Sequence, residues 1–283
     1  MSQPHDGREP IELDGFSYLP RFITAGEAEA LIAYFGELTP LWEHRHRDTD
    51  HARTSTPSSD GTRKPPGRRL TRPVYWLGAW QFACLGYYAE PDYREGRCVE
   101  AEPFPDPMTV ILERLLPRLR AIDPGFDAPP NSCLINYYGR EVGEGPPRDY
   151  ARLRMHRDGE PGPVVMFSIG QPGLLEFVDP ERSKEATLAV WTRHRSISIL
   201  SGPEYKDRLY HRVTQVRHGQ EPRIQCRLPG FEARRISVSF RHVPGELISP
   251  FGGLPERSRG MVRDYVEALA QHSAHFRDQL ERE

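Results

Sequence analysis

The feature that most constrains the fold is a series of short, apolar, β-branched segments between residues 131 and 242. Each is five to seven residues long, and glycine and proline turns separate them. Helical patterns do not alternate with these segments, so the spacing predicts an antiparallel sandwich or barrel rather than a parallel sheet with crossover helices. The segments are Cys133–Tyr138, Val164–Ile169, Leu174–Val178, Ser196–Leu200, Tyr210–Val216 and Arg235–Phe240.

Helical patterns flank this β-rich region. Residues Thr24-Ala25-Gly26-Glu27 form a capping-box pattern before an amphipathic run from Ala28 to Leu38. A second helix is predicted at about Pro107–Ile122, with Asp106 as its N-cap. Pro117 inside that helix predicts a kink or an early stop.

The patterns divide the chain into four parts. A final helix is predicted at roughly Pro255–Leu280, and the polar stretch from His44 to Arg72 is predicted to be a long mobile loop. The parts are a flexible tail at 1–12, an N-terminal region of helices at 13–130, a β-rich core at 131–243 and a C-terminal helical extension at 244–283.

Composition excludes several classes of protein. With 283 residues and a formal net charge of −2, the chain has no global attraction to nucleic acid. No apolar run is long enough for a membrane span, and the start of the chain does not resemble a signal peptide. The four cysteines are widely spaced, so we expect free thiols in a reducing compartment and a cytoplasmic protein. We also expect the protein to be a monomer.

The basic residues are almost all arginine, since only three of the 38 are lysine. Arginine binds phosphate and carboxylate bidentately, but a GC-rich genome also inflates arginine throughout a proteome.

A His-x-Asp pair is the strongest chemical signal. On a strand, residues i and i+2 project to one face, so His156 and Asp158 can reach a common point. Two histidines and one carboxylate form the facial triad that holds ferrous iron, and His211 in a later apolar segment can supply the third ligand. Alternatives remain: a second His-x-Asp match at 46–48, and His194, His218 and His242 as other third ligands.

Two further segments carry polar side chains at every second residue. Period-2 alternation places Arg235, Ser237, Ser239 and Arg241 on one strand face, which opens either to water or to an anion-filled pocket. In the same way, Asn136 and Tyr138 share a face of their own segment. An iron centre with one aspartate carries net +1 and a dicarboxylic 2-oxo acid carries −2, so an arginine would supply the missing positive charge.

Together these segments resemble the AlkB family of iron- and 2-oxoglutarate-dependent dioxygenases. The resemblance covers most of residues 70–242 and is carried by 134–139, 153–160, 165–170, 174–177, His211 and 235–241. It implies a mainly β protein with flanking α-helices around a double-stranded β-helix (jelly-roll) core. It also implies Fe(II), 2-oxoglutarate and O₂ as cofactor and cosubstrates, and oxidation of an N-alkyl group that is then released as an aldehyde.

The resemblance also implies roles for individual residues. His156, Asp158 and His211 correspond to the iron ligands. Asn136, Tyr138, Arg235, Ser237 and Arg241 correspond to the cosubstrate binders, although Ser237 stands where a longer polar side chain is common. Arg234 is an alternative to Arg235, but parity with Arg241 favours Arg235. Glu160, Trp80 and Tyr88 correspond to substrate contacts, with Trp80 as a stacking platform for a flipped-out base. Equally, Trp76, Trp80 and Tyr87 can be core aromatics.

The sequence leaves three functions open. The first is removal of N-alkyl groups, such as methyl, from bases in DNA or RNA. The second is the same oxygenase chemistry on a protein side chain or a small molecule, which the polar insertion at 140–152 permits by altering the mouth of the site. The third is a non-catalytic nucleic-acid-binding module that uses the basic loop Arg63–Arg72, although that loop can equally be a solvated linker.

Overall fold

All six predicted β-segments form strands in a computed structural model that describes residues 3–42, 44–46, 67–69, 72–81, 98–143, 145–183, 185–218 and 224–283. The strands are β1 Ile11–Leu13, β2 Phe16–Leu19, β3 His44–His46, β4 Gly67–Arg69, β5 Val74–Leu77, β6 Ala79–Gln81, β7 Cys98–Glu100, β8 Ser132–Gly143, β9 Gly145–Tyr150, β10 Leu153–His156, β11 Val164–Gly170, β12 Gly173–Val178, β13 Ala186–Thr192, β14 Ser196–Leu200, β15 Tyr210–Val216, β16 Phe231–Arg241 and β17 Ile248–Ser249. The helices are α1 Ala25–Glu37, α2 Asp106–Ile122, α3 Glu256–Ala270 and α4 Ala274–Glu281.

Two antiparallel sheets form the centre of the protein. The larger has the strand order β1-β2-β14-β11-β16-β8-β5, with β9 added to β8, and the smaller has the order β10-β15-β12-β13. Apolar side chains from both sheets form one cluster between them, including Met166 of β11 and Phe177 of β12. Two facing antiparallel sheets with flanking helices are the predicted jelly-roll architecture.

The helices cover the outer face of the larger sheet. Ile236, Val238 and Phe240 of β16 are fully buried there, in one cluster with Phe35 of α1 and Leu115 of α2. Burial of each such side chain contributes about 1.5–3 kcal/mol relative to exposure. Because this face of β16 packs on the helices, the opposite face, with Arg235 and Arg241, lies toward the interior between the two sheets.

The helices differ from the prediction at their ends. The capping box of α1 is present, with Thr24 and Glu27 as predicted. Helix α2 ends at Ile122 as predicted and continues through Pro117, so the alternative of an early stop was wrong. The predicted N-cap was also wrong, because Asp106 is the first residue of the helix and Pro105 is the N-cap. Its buried stripe, which includes Leu115 and Leu119, holds the final turn against the core.

The predicted C-terminal helix is two helices, α3 and α4. The break falls before Ser273, whose hydroxyl accepts a hydrogen bond from Phe276 N and so caps α4. The same hydroxyl donates to Glu102 Oε1 at 2.6 Å, a tertiary contact that sequence patterns do not reveal.

Three segments predicted to be irregular are paired. The expected flexible tail joins the smaller sheet, since His5 N donates to Ala189 O at 2.8 Å. In the predicted loop 44–72, β3 pairs with β4, and residues 47–66 and 70–71 lie outside the described part of the chain. The polar insertion forms a hairpin of β9 with the outer half of β8. No helix that the structure describes is both long and apolar enough to cross a membrane.

Candidate metal and cosubstrate site

The smaller sheet brings His156, Asp158 and His211 together. His156 is the last residue of β10 and lies directly opposite His211 of β15 in the antiparallel ladder. Asp158 follows two residues later, in the loop that leaves β10. Local pairing of two strands therefore positions all three side chains.

The three side chains are close enough to share one ion. One ligand atom from each lies within 4.8 Å of the others. The two imidazole centroids are 4.2 Å apart, and His211 Nε2 lies 3.4 Å from Asp158 Oδ2. Two histidines and one carboxylate arranged in this way are the ligand set for non-haem Fe(II).

The protonation states also fit a metal. Burial lowers the pKa of His156 to about 3, aided by the neighbouring His211, and burial likewise lowers the pKa of His211. Burial alone would raise the pKa of the Asp158 carboxyl, but Arg241 and the two histidines hold it well below its usual range. Neutral imidazoles and an ionised carboxylate are the forms that bind a divalent cation.

Arg241 of β16, a predicted cosubstrate binder, orients Asp158. Arg241 Nε and Nη2 donate to Asp158 Oδ1 at 2.9 and 2.6 Å. Asp158 Oδ2 is buried and receives no hydrogen bond from any part of the chain that the structure describes. A buried carboxylate oxygen without a donor, facing two neutral imidazoles, fits a site for Fe(II).

A π-helical segment, Gly202–Arg208, supports the loop that carries Asp158. The Lys206 ammonium donates to the Glu160 carbonyl, and Arg157 Nη1 donates to the Asp207 carbonyl at 2.8 Å. Segments of this kind are frequent at functional sites. These two bonds fix the loop on both sides of Asp158.

Arg235 of β16 is buried between the two sheets and is only 2% exposed. Nη1 donates to the carbonyls of Gln171 and Thr192 at 3.1 and 3.0 Å, and Nη2 donates to Ser168 Oγ and Thr192 Oγ1 at 2.8 and 2.9 Å. Burial lowers the pKa of the guanidinium to about 10, so it stays charged at neutral pH.

Arg235 lacks a counter-ion among the described residues, and its buried Nε has no hydrogen-bond acceptor there. A fully buried cation without an anionic partner is costly, and a ligand carboxylate would compensate it. The guanidinium therefore fits a dicarboxylic cosubstrate.

Strand β8 places Asn136 and Tyr138 beside this arginine. Tyr138 is paired with Arg235, and Asn136 with Ser237, in the β8–β16 register. Asn136 Oδ1 accepts a 2.8 Å hydrogen bond from Arg72 Nε, which fixes the amide orientation. Sequence reasoning placed Arg72 in a basic loop and missed this buried role.

The alternative residues lie elsewhere. A bulge in β16 between Ala233 and Arg235 turns Arg234 outward, where its Nη2 donates to Asp149 at 3.1 Å. His194 Nδ1 accepts from Gly170 N, His218 contacts Arg234, and His242 contacts the Pro129 carbonyl. The side chains of the second His-x-Asp match at 46–48 lie outside the described residues.

The three predicted substrate contacts differ in where the structure places them. Glu160 is buried beside the triad, with Oε1 3.4 Å from Arg241 Nε. Trp80 is 1% exposed and packs edge-on against Tyr265 of α3, so the expectation of an accessible stacking platform is wrong at this position. Tyr88 lies outside the described residues.

Comparison with known proteins identifies the family. The sequence profile of the 2OG-Fe(II) oxygenase superfamily matches residues 15–241. The chain belongs to this superfamily. As a member, this 2OG-Fe(II) oxygenase uses Fe(II), 2-oxoglutarate and O₂, and its His-Asp-His triad fits iron binding.

Two solved structures are similar to this oxygenase at low identity. OsALKBH1 is 18% identical with a TM-score of 0.48, and the match covers 83% of this chain and 100% of that one. An oxidoreductase of the 2OG-Fe(II) oxygenase family from Burkholderia pseudomallei is 15% identical with a TM-score of 0.44, covering 80% of this chain and 84% of that one. No curated protein sequence matches.

Proposed function

We propose that the protein is an AlkB-like dioxygenase that oxidatively removes N-alkyl groups, methyl above all, from bases in DNA or RNA. The observation that carries the proposal is the chain of contacts from Asp158 through Arg241 to Glu160. These contacts support a role for the Glu160 carboxylate, close to Asp158, as an acceptor of hydrogen bonds from the N–H groups of a base.

The residues take distinct roles in this reaction. His156, Asp158 and His211 hold the iron, and Arg241 orients Asp158. Arg235 binds the remote carboxylate of 2-oxoglutarate, while Asn136 and Tyr138 lie where they can donate to its other end. Fe(II) held by these residues would supply the activation of O₂ that oxidises 2-oxoglutarate to succinate and CO₂ and hydroxylates the alkyl carbon, and the hydroxyalkyl group would leave as an aldehyde.

A second candidate keeps the chemistry but changes the substrate to a protein side chain or a small molecule. The burial of Trp80 favours it, because the expected platform for a base is absent from that position. Both candidates predict the same cofactor and cosubstrates and differ only in what enters the mouth of the site.

The test is succinate formation with iron-loaded protein and matched substrates. Methylated DNA and RNA oligonucleotides are compared with their unmethylated counterparts and with methylated peptides, and the aldehyde is measured in parallel. The proposal predicts succinate and aldehyde in equal amounts with a methylated oligonucleotide only. A preference for peptides would select the second candidate, and no succinate with any methylated oligonucleotide from folded, iron-loaded protein would reject the proposal.

A further inference from the structure

A second basic site lies apart from the triad and the cosubstrate arginine. A cavity of about 560 Å³ opens between the N-terminal tail, the turn after β2 and the turn between β13 and β14. Its wall includes Arg8, Arg21, Arg193 and Arg195, and Glu9 is the only acidic residue of the lining. We refer to it as the basic cavity.

Three of these guanidinium groups, those of Arg21, Arg193 and Arg195, form no ion pair within 4 Å among the described residues, although the Asp6 carboxylate lies near enough to Arg193 to interact with it electrostatically. Arg193 Nε donates to the Asp6 carbonyl at 2.7 Å and Arg195 Nε to the Ile23 carbonyl at 2.8 Å, which leaves the Nη groups of both without a bonded acceptor there. Arg21 makes no hydrogen bond or ion pair within the described part of the chain and is exposed. Several like charges around one concavity repel one another, and a bound anion relieves that repulsion.

Backbone conformation singles out the same place. Arg21 and Arg195 have φ angles of +57° and +67°, and they are the only non-glycine residues with positive φ that the structure describes. Each lies in a tight turn, after Pro20 and after His194, at a position that glycine occupies more favourably. Strained residues of this kind concentrate at ligand-binding sites. Both unfavourable positions carry an arginine that lines the basic cavity.

We propose that the basic cavity binds the phosphate group of a small phosphorylated molecule. A tetrahedral phosphate offers oxygens to several guanidinium groups at once, whereas a single carboxylate offers two. The volume matches sites that hold a small organic ligand, so a phosphate ester of nucleotide size fits the cavity better than inorganic phosphate alone.

Calorimetric titration distinguishes the phosphate sources. Inorganic phosphate, adenosine 5′-monophosphate and a single-stranded oligonucleotide are each titrated in the presence of saturating 2-oxoglutarate and Mn(II), so that Arg235 does not contribute. We expect the nucleotide to bind at least as tightly as inorganic phosphate. We also expect Arg21→Gln and Arg193→Gln each to weaken binding about tenfold or more, as for a lost charge-assisted hydrogen bond.

Two further variants separate a binding role from a structural one. Arg120→Gln removes the same charge from α2, outside the basic cavity, and should leave phosphate affinity unchanged. Arg21→Gly should raise the melting temperature, because glycine adopts positive φ without strain, while it weakens phosphate binding as much as Arg21→Gln does.

Three results would overturn the proposal. They are the absence of nucleotide and phosphate binding by the native protein, an affinity unchanged by Arg21→Gln, and an oligonucleotide that binds more tightly than the nucleotide in an Arg21-dependent way. The last result would make the basic cavity a nucleic-acid contact.

Discussion

Arg235 connects the two sheets through a single side chain. It extends from β16 of the larger sheet to Thr192 of the smaller one, and its four hydrogen bonds fix the guanidinium orientation without a ligand. A group held in its binding orientation loses little entropy when the ligand arrives. We therefore expect that changes in the packing around Arg235 affect cosubstrate affinity more than chemistry.

Gly173 tests this expectation. A Cβ at this position would lie 2.8 Å from Arg235 Nε and 2.9 Å from its Cζ, so Gly173→Ala must displace the guanidinium. We predict that the KM for 2-oxoglutarate rises about tenfold, as for one weakened charge-assisted contact, while kcat changes little. The measurement is succinate formation as a function of 2-oxoglutarate concentration.

Gly143→Ala is the matched control, because a Cβ there meets no atom within 4 Å. It should leave the KM for 2-oxoglutarate unchanged. An unchanged KM in folded Gly173→Ala as well would show that Arg235 does not bind the cosubstrate.

Strand parity predicted which side chains share a face, but not what holds them. Alternation in 235–241 placed Arg235 and Arg241 together from sequence alone. The acceptors around Arg235 could not be predicted, because Ser168 and Thr192 lie on other strands and belong to no motif. The prediction that Trp80 is an accessible stacking surface was wrong for the same reason. Whether an aromatic ring is exposed or buried depends on what packs against it, and Tyr265 of α3 packs against Trp80.

At the scale of elements, Glu27 joins α1 to α2. Its carboxylate closes the capping box on Thr24 N at 2.8 Å and accepts from Arg114 Nη2 of α2 at 2.8 Å. These contacts, with the Arg114 hydrogen bond the largest, lower the pKa of the Glu27 carboxyl to about 2.

Replacement of Glu27 by Gln should therefore destabilise the protein in a pH-dependent way. Because the folded pKa lies below the usual 4.5, the stabilisation is fully present above pH 4.5 and is lost as the pH falls toward 2. We predict a loss of about 1 kcal/mol in unfolding free energy at pH 7, kept small by solvent screening, from urea unfolding. The difference from the native protein should shrink steadily below pH 4.5.

Glu29→Gln makes the same charge change on α1, at an exposed residue with no hydrogen bond or ion pair among the described residues. This substitution should change the free energy of unfolding little at any pH. A Glu27→Gln deficit that stayed constant from pH 7 to pH 3 would contradict the ionic origin of the contact.

Strands were predicted more closely than irregular segments. The predicted bounds of β14 and β15 coincide with the structure, because buried β-branched runs between turns carry a strong local signal. Strand β13 was missed, since its alternation is weak and four of its seven residues are only half-buried. The β3–β4 pairing was missed because polar sequence gives no apolar pattern to detect.

For the molecule as a whole, metal binding should be coupled to stability. The triad joins β10 and β15 with the loop fixed by the π-helical segment. An ion held by these three side chains therefore binds the folded chain and not the unfolded chain. A ligand present at a hundredfold excess over its Kd adds about 2.7 kcal/mol to the free energy of unfolding. We predict that Mn(II), a redox-inert substitute for Fe(II), raises the melting temperature by roughly 5 °C.

The increase should be absent in Asp158→Ala and retained in Glu29→Gln. 2-Oxoglutarate should raise the melting temperature further when the metal is present. A metal-dependent increase that persisted in Asp158→Ala would place the ion at another site.

The most direct test of the whole account is the iron content of four proteins: the native chain, His156→Ala, Asp158→Ala and His211→Ala. Each is loaded anaerobically with Fe(II), dialysed and analysed for metal, with circular dichroism to verify folding. The account predicts about one iron per native chain and almost none in each folded variant. Stoichiometric iron in all three variants would show that these side chains do not form the metal centre.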